Sequence, residues 1–205
     1  MSLELLRSSP FFDASFVSRE TWDKLETYQE LLEKWSAAYN LVQKETLGSS
    51  GKRHFLDSLQ MYPRIDKSQT LLDVGSGAGF PGMVLAMVGC TRVTLVECNL
   101  KKVLFLEEVA RQTSTSVKIL HQKWQDLQGD YQQVTARAFS NLSHLLEILR
   151  TVSRETKATG WFLKGASWKK ELEQCQKQWQ FEYELFPSIT ESESKIIKIK
   201  GVSRR

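Results

Sequence analysis

The stretch Leu71-Leu72-Asp73-Val74-Gly75-Ser76-Gly77-Ala78-Gly79-Phe80-Pro81-Gly82 runs from an apolar, strand-like segment into four glycines within eight positions, and Met83-Val84-Leu85 then open an apolar helix. A backbone so poor in side chains lets a ligand come close, and open α/β sheets bind ligands at the carboxyl ends of their strands. Three ligand chemistries compete for the loop. Gly77 and Gly82 have the outer spacing of a phosphate-binding GxxxxG loop, but Met83-Val84 stands where Lys-Ser or Lys-Thr should reach phosphate and magnesium, which argues against an NTPase. Gly77, Gly79 and Gly82 also satisfy the dinucleotide pattern GxGxxG, yet the register is late relative to the strand, and Asp73 would bring a carboxylate towards the pyrophosphate. S-adenosylmethionine carries a cationic sulfonium and an ammonium group and no phosphate, so an acidic residue at this strand end attracts it. The order Asp-x-Gly-x-Gly-x-Gly therefore favours a methyl donor. Glu97, closing the next apolar run from Val93 to Val96, agrees, because a carboxylate there can accept both ribose hydroxyls.

Outward from the loop, two patterns divide the chain. Before it, Trp22, Leu25, Tyr28, Leu31, Leu32, Trp35 and Tyr39 recur at spacings of three and four from Ser18 to about Leu47, predicting an amphipathic helix whose aromatic stripe is core. Gly48-Ser49-Ser50-Gly51 breaks it, and a short helical segment around Phe55, Leu56 and Leu59 ends near Pro63. After Ser68, apolar runs at 70–74, 93–96, 117–120, 134–136 and 161–163 read as strands separated by helices, one of them opening at Asn99 as a cap. Such alternation predicts a parallel sheet with right-handed crossovers. Phe181, Tyr183 and Leu185, then parts of Lys195 to Lys200, suggest two final strands joined by a loop around Pro187. The expected organisation is a helical extension over 1–66 and a compact α/β core over 67–205.

The 205 residues hold 28 Lys+Arg against 24 Asp+Glu, a net charge of +4 that allows a polyanionic partner without requiring one. With 41% hydrophobic and 25% charged residues, disordered and fibrous classes are excluded. The amino terminus lacks a secretory pattern, and the longest apolar run, Met83 to Val88, is too short for a bilayer, so a cytoplasmic protein without a membrane partner is expected. Cys90, Cys98 and Cys175 form no CxxC and the three histidines no HExxH, so no metal is expected. No two prolines are adjacent and no Pro-Cys pair occurs, which removes the usual signatures of exocyclic-amine and pyrimidine-carbon methylation. An acceptor with a free lone pair at neutral pH, such as guanine N7, fits the lack of an obvious general base.

Arg53-His54-Phe55-Leu56-Asp57-Ser58-Leu59, the glycine loop, Lys101-Lys102, Ala136-Arg137-Ala138-Phe139 and Leu163-Lys164-Gly165 together resemble the RsmG (GidB) family, bacterial guanine-N7 methyltransferases of small-subunit ribosomal RNA, from about Trp35 to Gly165. The resemblance implies a Rossmann-like class I S-adenosylmethionine-dependent methyltransferase fold with an N-terminal helical extension, acting as a monomer on small-subunit rRNA or a ribosomal subunit. It implies cofactor binding by Asp73, Gly75, Gly77, Gly79, Phe80, Glu97, Trp124 and Gln125, with Gly75 and Phe80 on the methionine side and Trp124 and Gln125 beside the adenine. Arg137 would sit at the methyl-transfer site, and Arg53, His54, Lys101, Lys102, Arg137 and Lys164 would meet RNA. Gln125 and Gln132 stand where the family more often has acidic residues, which bears on donor affinity. His54 and Asp57, three apart on a helix, are either a polar substrate pair or a satisfied interface. A methyltransferase of another substrate class, or a non-catalytic binder of S-adenosylmethionine or RNA, remains an alternative.

Overall fold

The computed structural model describes residues 17–39, 41–42, 51–153 and 157–205, the side chains of 51–53 excepted. Helix α1 (Arg19–Tyr39) starts where the Ser18 hydroxyl accepts the Thr21 N–H at 3.2 Å, and it buries Trp22, Leu25, Tyr28, Leu31 and Leu32. The helix ends at Tyr39, short of the expected Leu47, and Leu41 and Val42 are no longer helical; residues 43–50, with the Gly48–Ser50 break, and the extension before Val17 lie outside the described residues. A π-helical turn (Gly51–Leu56) passes into the short helix α2 (Asp57–Leu59), and a 3-10 turn (Tyr62–Arg64) leads to the sheet.

The sheet elements follow in the order β1 (Leu71–Val74), α3 (Gly82–Met87), β2 (Val93–Glu97), α4 (Leu100–Gln112), β3 (Lys118–His121) and β4 (Gln133–Arg137). Then come α5 (Leu142–Thr151), β5 (Thr159–Lys164), α6 (Trp168–Cys175), β6 (Trp179–Pro187) and β7 (Lys195–Arg204). Their spatial order is β3-β2-β1-β4-β5-β7-β6, with five parallel strands followed by the antiparallel pair β7 and β6. The strand order reverses beside β1, which opens a crevice at the carboxyl ends of β1, β2 and β4. Asn99 caps α4 as expected, its side chain accepting the Lys101 and Lys102 N–H groups. Pro187, expected in the connecting loop, instead ends β6 opposite Lys195. Its missing N–H is tolerated because β6 is the edge strand.

Period-2 alternation sends successive residues of each strand to opposite cores. Leu71, Leu95 and Trp161 face a core with α1, α3 and α4, whereas Leu72, Val96, Val134 and Phe162 face α5 and α6. Because Tyr28, Phe55, Phe80 and Phe105 pack against one another, the helical segment before the sheet shares the first core. Truncating fully buried Leu25 to Ala should therefore cost about 2–5 kcal/mol, lowering a single cooperative denaturant transition rather than melting α1 alone.

Candidate active site

A loop of glycines cannot pack itself, so its shape comes from neighbours. Asp73, fully buried at the end of β1, accepts the Gly82 N–H at 3.1 Å and the Thr135 hydroxyl at 3.0 Å, tying both ends of the loop and strand β4 to one carboxylate. Burial raises its pKa to about 6, against hydrogen bonds from Gly82, Thr135 and Ser76 and the charge of Arg137, which favour the ionised form. The Ser76 hydroxyl donates to the Asp73 carbonyl and accepts the Val96 N–H, stitching the loop to β2. At the end of β2, buried Glu97 accepts the Gly77 N–H at 2.9 Å and the Asn99 N–H at 2.8 Å.

From the other side, α1 reaches the loop through the buried Tyr28 hydroxyl, which donates to the Ala78 carbonyl. Burial, partly offset by Arg137, raises the pKa of Tyr28 well above its ordinary value, so it remains a donor. A Cβ on Gly79, whose φ is +97°, would meet the Tyr28 oxygen and lie 2.9 Å from Leu106 and Met83, which explains glycine there. Phe80 is 4% exposed, with Tyr28 stacked on it at 5.2 Å, His54 at 5.0 Å and the Arg137 guanidinium 5.1 Å from its centroid. Arg137, ending β4, lies 2.9 Å from His54 Nδ1 and 3.5 Å from Asp57 Oδ2. Burial lowers its pKa, with Asp57 the main opposing influence, and the guanidinium stays charged. The other Asp57 oxygen accepts from Thr190, in the β6–β7 loop, and from Gln60 at 3.1 Å.

Beyond β4 the chain turns at Ala138, φ +51°, and Phe139 lies over Gly75 so closely that a Cβ there would overlap its ring. His144 stacks on Phe139 at 6.0 Å and holds the Ser140 hydroxyl at 2.7 Å, while Trp124 meets His144 edge-on at 5.2 Å. Lys164 pairs with Glu171 at 2.8 Å and donates to the Ser140 carbonyl at 2.9 Å. Burial would raise Glu171, but hydrogen bonds from Lys164, Ser167 and the Leu142 N–H outweigh it and lower its pKa.

The family model GidB, rRNA small subunit methyltransferase G, matches residues 21–199. The chain belongs to this family. Ribosomal RNA small subunit methyltransferase G of Rickettsia akari (strain Hartford) is 36% identical over 189 residues, covering 92% of this chain and 98% of that protein. The namesake from Rickettsia felis has the same identity, over 92% and 97%. In fold, the chain is similar to the ribosomal protein L11 methylase of Lactobacillus delbrueckii subsp. bulgaricus (TM-score 0.55, 18% identity, 73% of this chain and 77% of that one) and to P. horikoshii TYW2 in complex with MeSAdo (TM-score 0.53, 10% identity, 74% and 62%). The chain is a class I S-adenosylmethionine-dependent methyltransferase.

The loop suits such a donor. A Cβ on Gly77 would find only the Gly75 carbonyl, at 3.8 Å, so the backbone beside Glu97 is bare and open. Each Glu97 oxygen has one protein N–H and keeps capacity for a hydroxyl. Several expected roles change. Asp73 has no exposed surface and its carboxylate is taken up by Gly82 and Thr135, so it shapes the loop and does not meet the donor. The Phe80 ring is likewise enclosed and supports Arg137. Lys164 is spent on Glu171 and Ser140, leaving no free ammonium for phosphate. Gln132 lies at the opposite, amino edge, accepting the Thr70 N–H at 3.1 Å, and so stands away from the loop. Gln125 is exposed next to half-buried Trp124, Lys101 is exposed at the start of α4 with Lys102 half-buried behind it, and the side chain of Arg53 lies outside the described residues. His54 and Asp57 do act together, through Arg137. Sequence reasoning missed the loop contact of Tyr28, the Thr190 link and the meeting of Phe139, His144 and Trp124; of these, Trp124 and Phe139 had entered only through the family resemblance, and nothing in the sequence brought them together.

Among the described residues no group of metal-ligating side chains comes together, and no helix is long and apolar enough to cross a membrane. Asp73 makes stability pH-dependent in a defined direction. Its pKa rises from 3.8 to about 6 on folding, so the folded state holds the proton more tightly and this group's contribution is lost as pH rises from about 4 through about 6. Thermal melts across that window should show a decline of roughly 3 kcal/mol in the wild type that Asp73→Asn removes.

Proposed function

We propose that the enzyme methylates N7 of one guanine in small-subunit (16S) ribosomal RNA. The observation that carries this reading is the open glycine loop flanked by Glu97, in a chain matched along 92% of its length by relatives named ribosomal RNA small subunit methyltransferase G. Gly77 would take the donor along its bare backbone, with Gly75 beside it beneath the Phe139 ring, Glu97 would take its ribose hydroxyls, and Trp124 with Gln125 its adenine. When bound, S-adenosylmethionine supplies an electrophilic methyl group on cationic sulfur, and the N7 lone pair takes it as the carbon–sulfur bond breaks.

No proton leaves N7, so the chain needs no general base at the acceptor, and positioning supplies most of the rate. The acceptor ring becomes cationic, which disfavours a free positive charge beside it. Arg137 meets this demand because Asp57 and His54 hold the guanidinium against Phe80, where it can order the acceptor's surroundings without crowding N7. Lys101 and Lys102, at the start of α4, serve as phosphate contacts. In this reading residues 1–66 and the core over 67–205 form one working unit, a monomer acting in the cytoplasm.

The test is transfer of labelled methyl to small subunits from cells lacking this protein, with the product mapped by cleavage selective for N7-methylguanine. One labelled guanine is expected. Glu97→Gln should weaken donor binding at least about tenfold, since a hydrogen bond to a charged group contributes ~1.5–3 kcal/mol. A wild type that binds the donor but labels no ribosomal RNA overturns the acceptor assignment.

A further inference from the structure

Phe139 has no part in the transfer outlined above, yet it is 37% exposed and stands at the carboxyl end of β4, over Gly75. We propose that Phe139 is the platform on which the acceptor purine stacks. The proposal rests on the guanine-N7 reading and adds to it the residue that holds the base.

Three observations converge on it. The ring is supported from behind: His144 stacks on it at 6.0 Å with 29° between planes, fixed by Ser140 at 2.7 Å and braced by Trp124 at 5.2 Å. The chain adopts a left-handed conformation at Ala138, φ +51°, to present Phe139, a geometry that costs a non-glycine residue stability and collects at functional sites. Phe80, the phenylalanine packed on Arg137, is enclosed by Tyr28, His54 and Phe55 and has no face to offer.

The chemistry asks for such a surface. The N7 lone pair lies in the plane of the purine, so a hydrogen-bond donor that gripped this edge would occupy the orbital that must attack. Stacking holds the ring by its π face and leaves every edge atom free. A base taken out of a folded RNA also needs an apolar face to replace the stacking it gives up.

The test compares Phe139→Leu, which keeps apolar volume but removes the π face, with Phe139→Trp, which restores one. Donor affinity is read by calorimetry and kcat/KM by transfer to the small subunit, with melting temperatures as a folding control. Phe139→Leu should leave donor Kd within about twofold and reduce kcat/KM for the RNA roughly 10- to 100-fold, in line with the loss of one base–aromatic stack of ~1–3 kcal/mol. Phe139→Trp should recover most of it. Equal activity of the Leu and Trp variants overturns the proposal, as does tighter donor binding by Phe139→Leu with unchanged transfer, which would make the ring a plug over Gly75. Either result leaves the guanine-N7 reading standing, whereas a silent wild type overturns both.

Discussion

Asp73 is a carboxylate without exposed surface, placed where strand β1, in the interior of the sheet, becomes a loop of glycines. A buried charge is tolerated only when its surroundings satisfy it, and here the Gly82 N–H, the Thr135 hydroxyl and the charge of Arg137 do so. Gly82 opens α3, Thr135 belongs to β4, and Arg137 ends that strand. One desolvated group thus fixes the loop, the first helix beyond it and the strand that carries Arg137.

The second support comes from outside the sheet. Glycines supply no side chains with which to pack, so the loop borrows them: Tyr28 reaches it from α1, and Phe80 anchors its far end among Tyr28, His54 and Phe55. The segment before the sheet therefore works as part of the site. Asp57 extends the connection to Thr190 and Gln60, so that the β6–β7 loop also bears on Arg137.

The crevice that results has two unlike walls. On one, Arg137, His54 and Asp57 neutralise one another within a nearly dry cluster. On the other, Phe139, His144 and Trp124 present rings. Charges that looked available, Asp73 and Lys164, are consumed in holding the walls in place. This suits a reaction in which positive charge passes to the acceptor and no proton needs to be moved.

The local pattern of the chain determined much of this. Apolar periodicity located every parallel strand, Asn99 announced its helix, and the glycine loop with Glu97 pointed to the donor, because these depend on neighbours in sequence. What tertiary structure alone decided is where each polar side chain spends its bonding capacity. Asp73 reads as a ligand contact until Gly82 and Thr135 are seen to take it up, Lys164 as a phosphate contact until Glu171 is beside it, and Gln132 as a neighbour of the donor until it appears at the opposite edge of the sheet. Tyr28 lies 50 positions from Ala78, and Thr190 lies 133 from Asp57. No periodicity spans such distances: hydrogen bonding and desolvation depend on which groups meet in space, and the folded chain decides that.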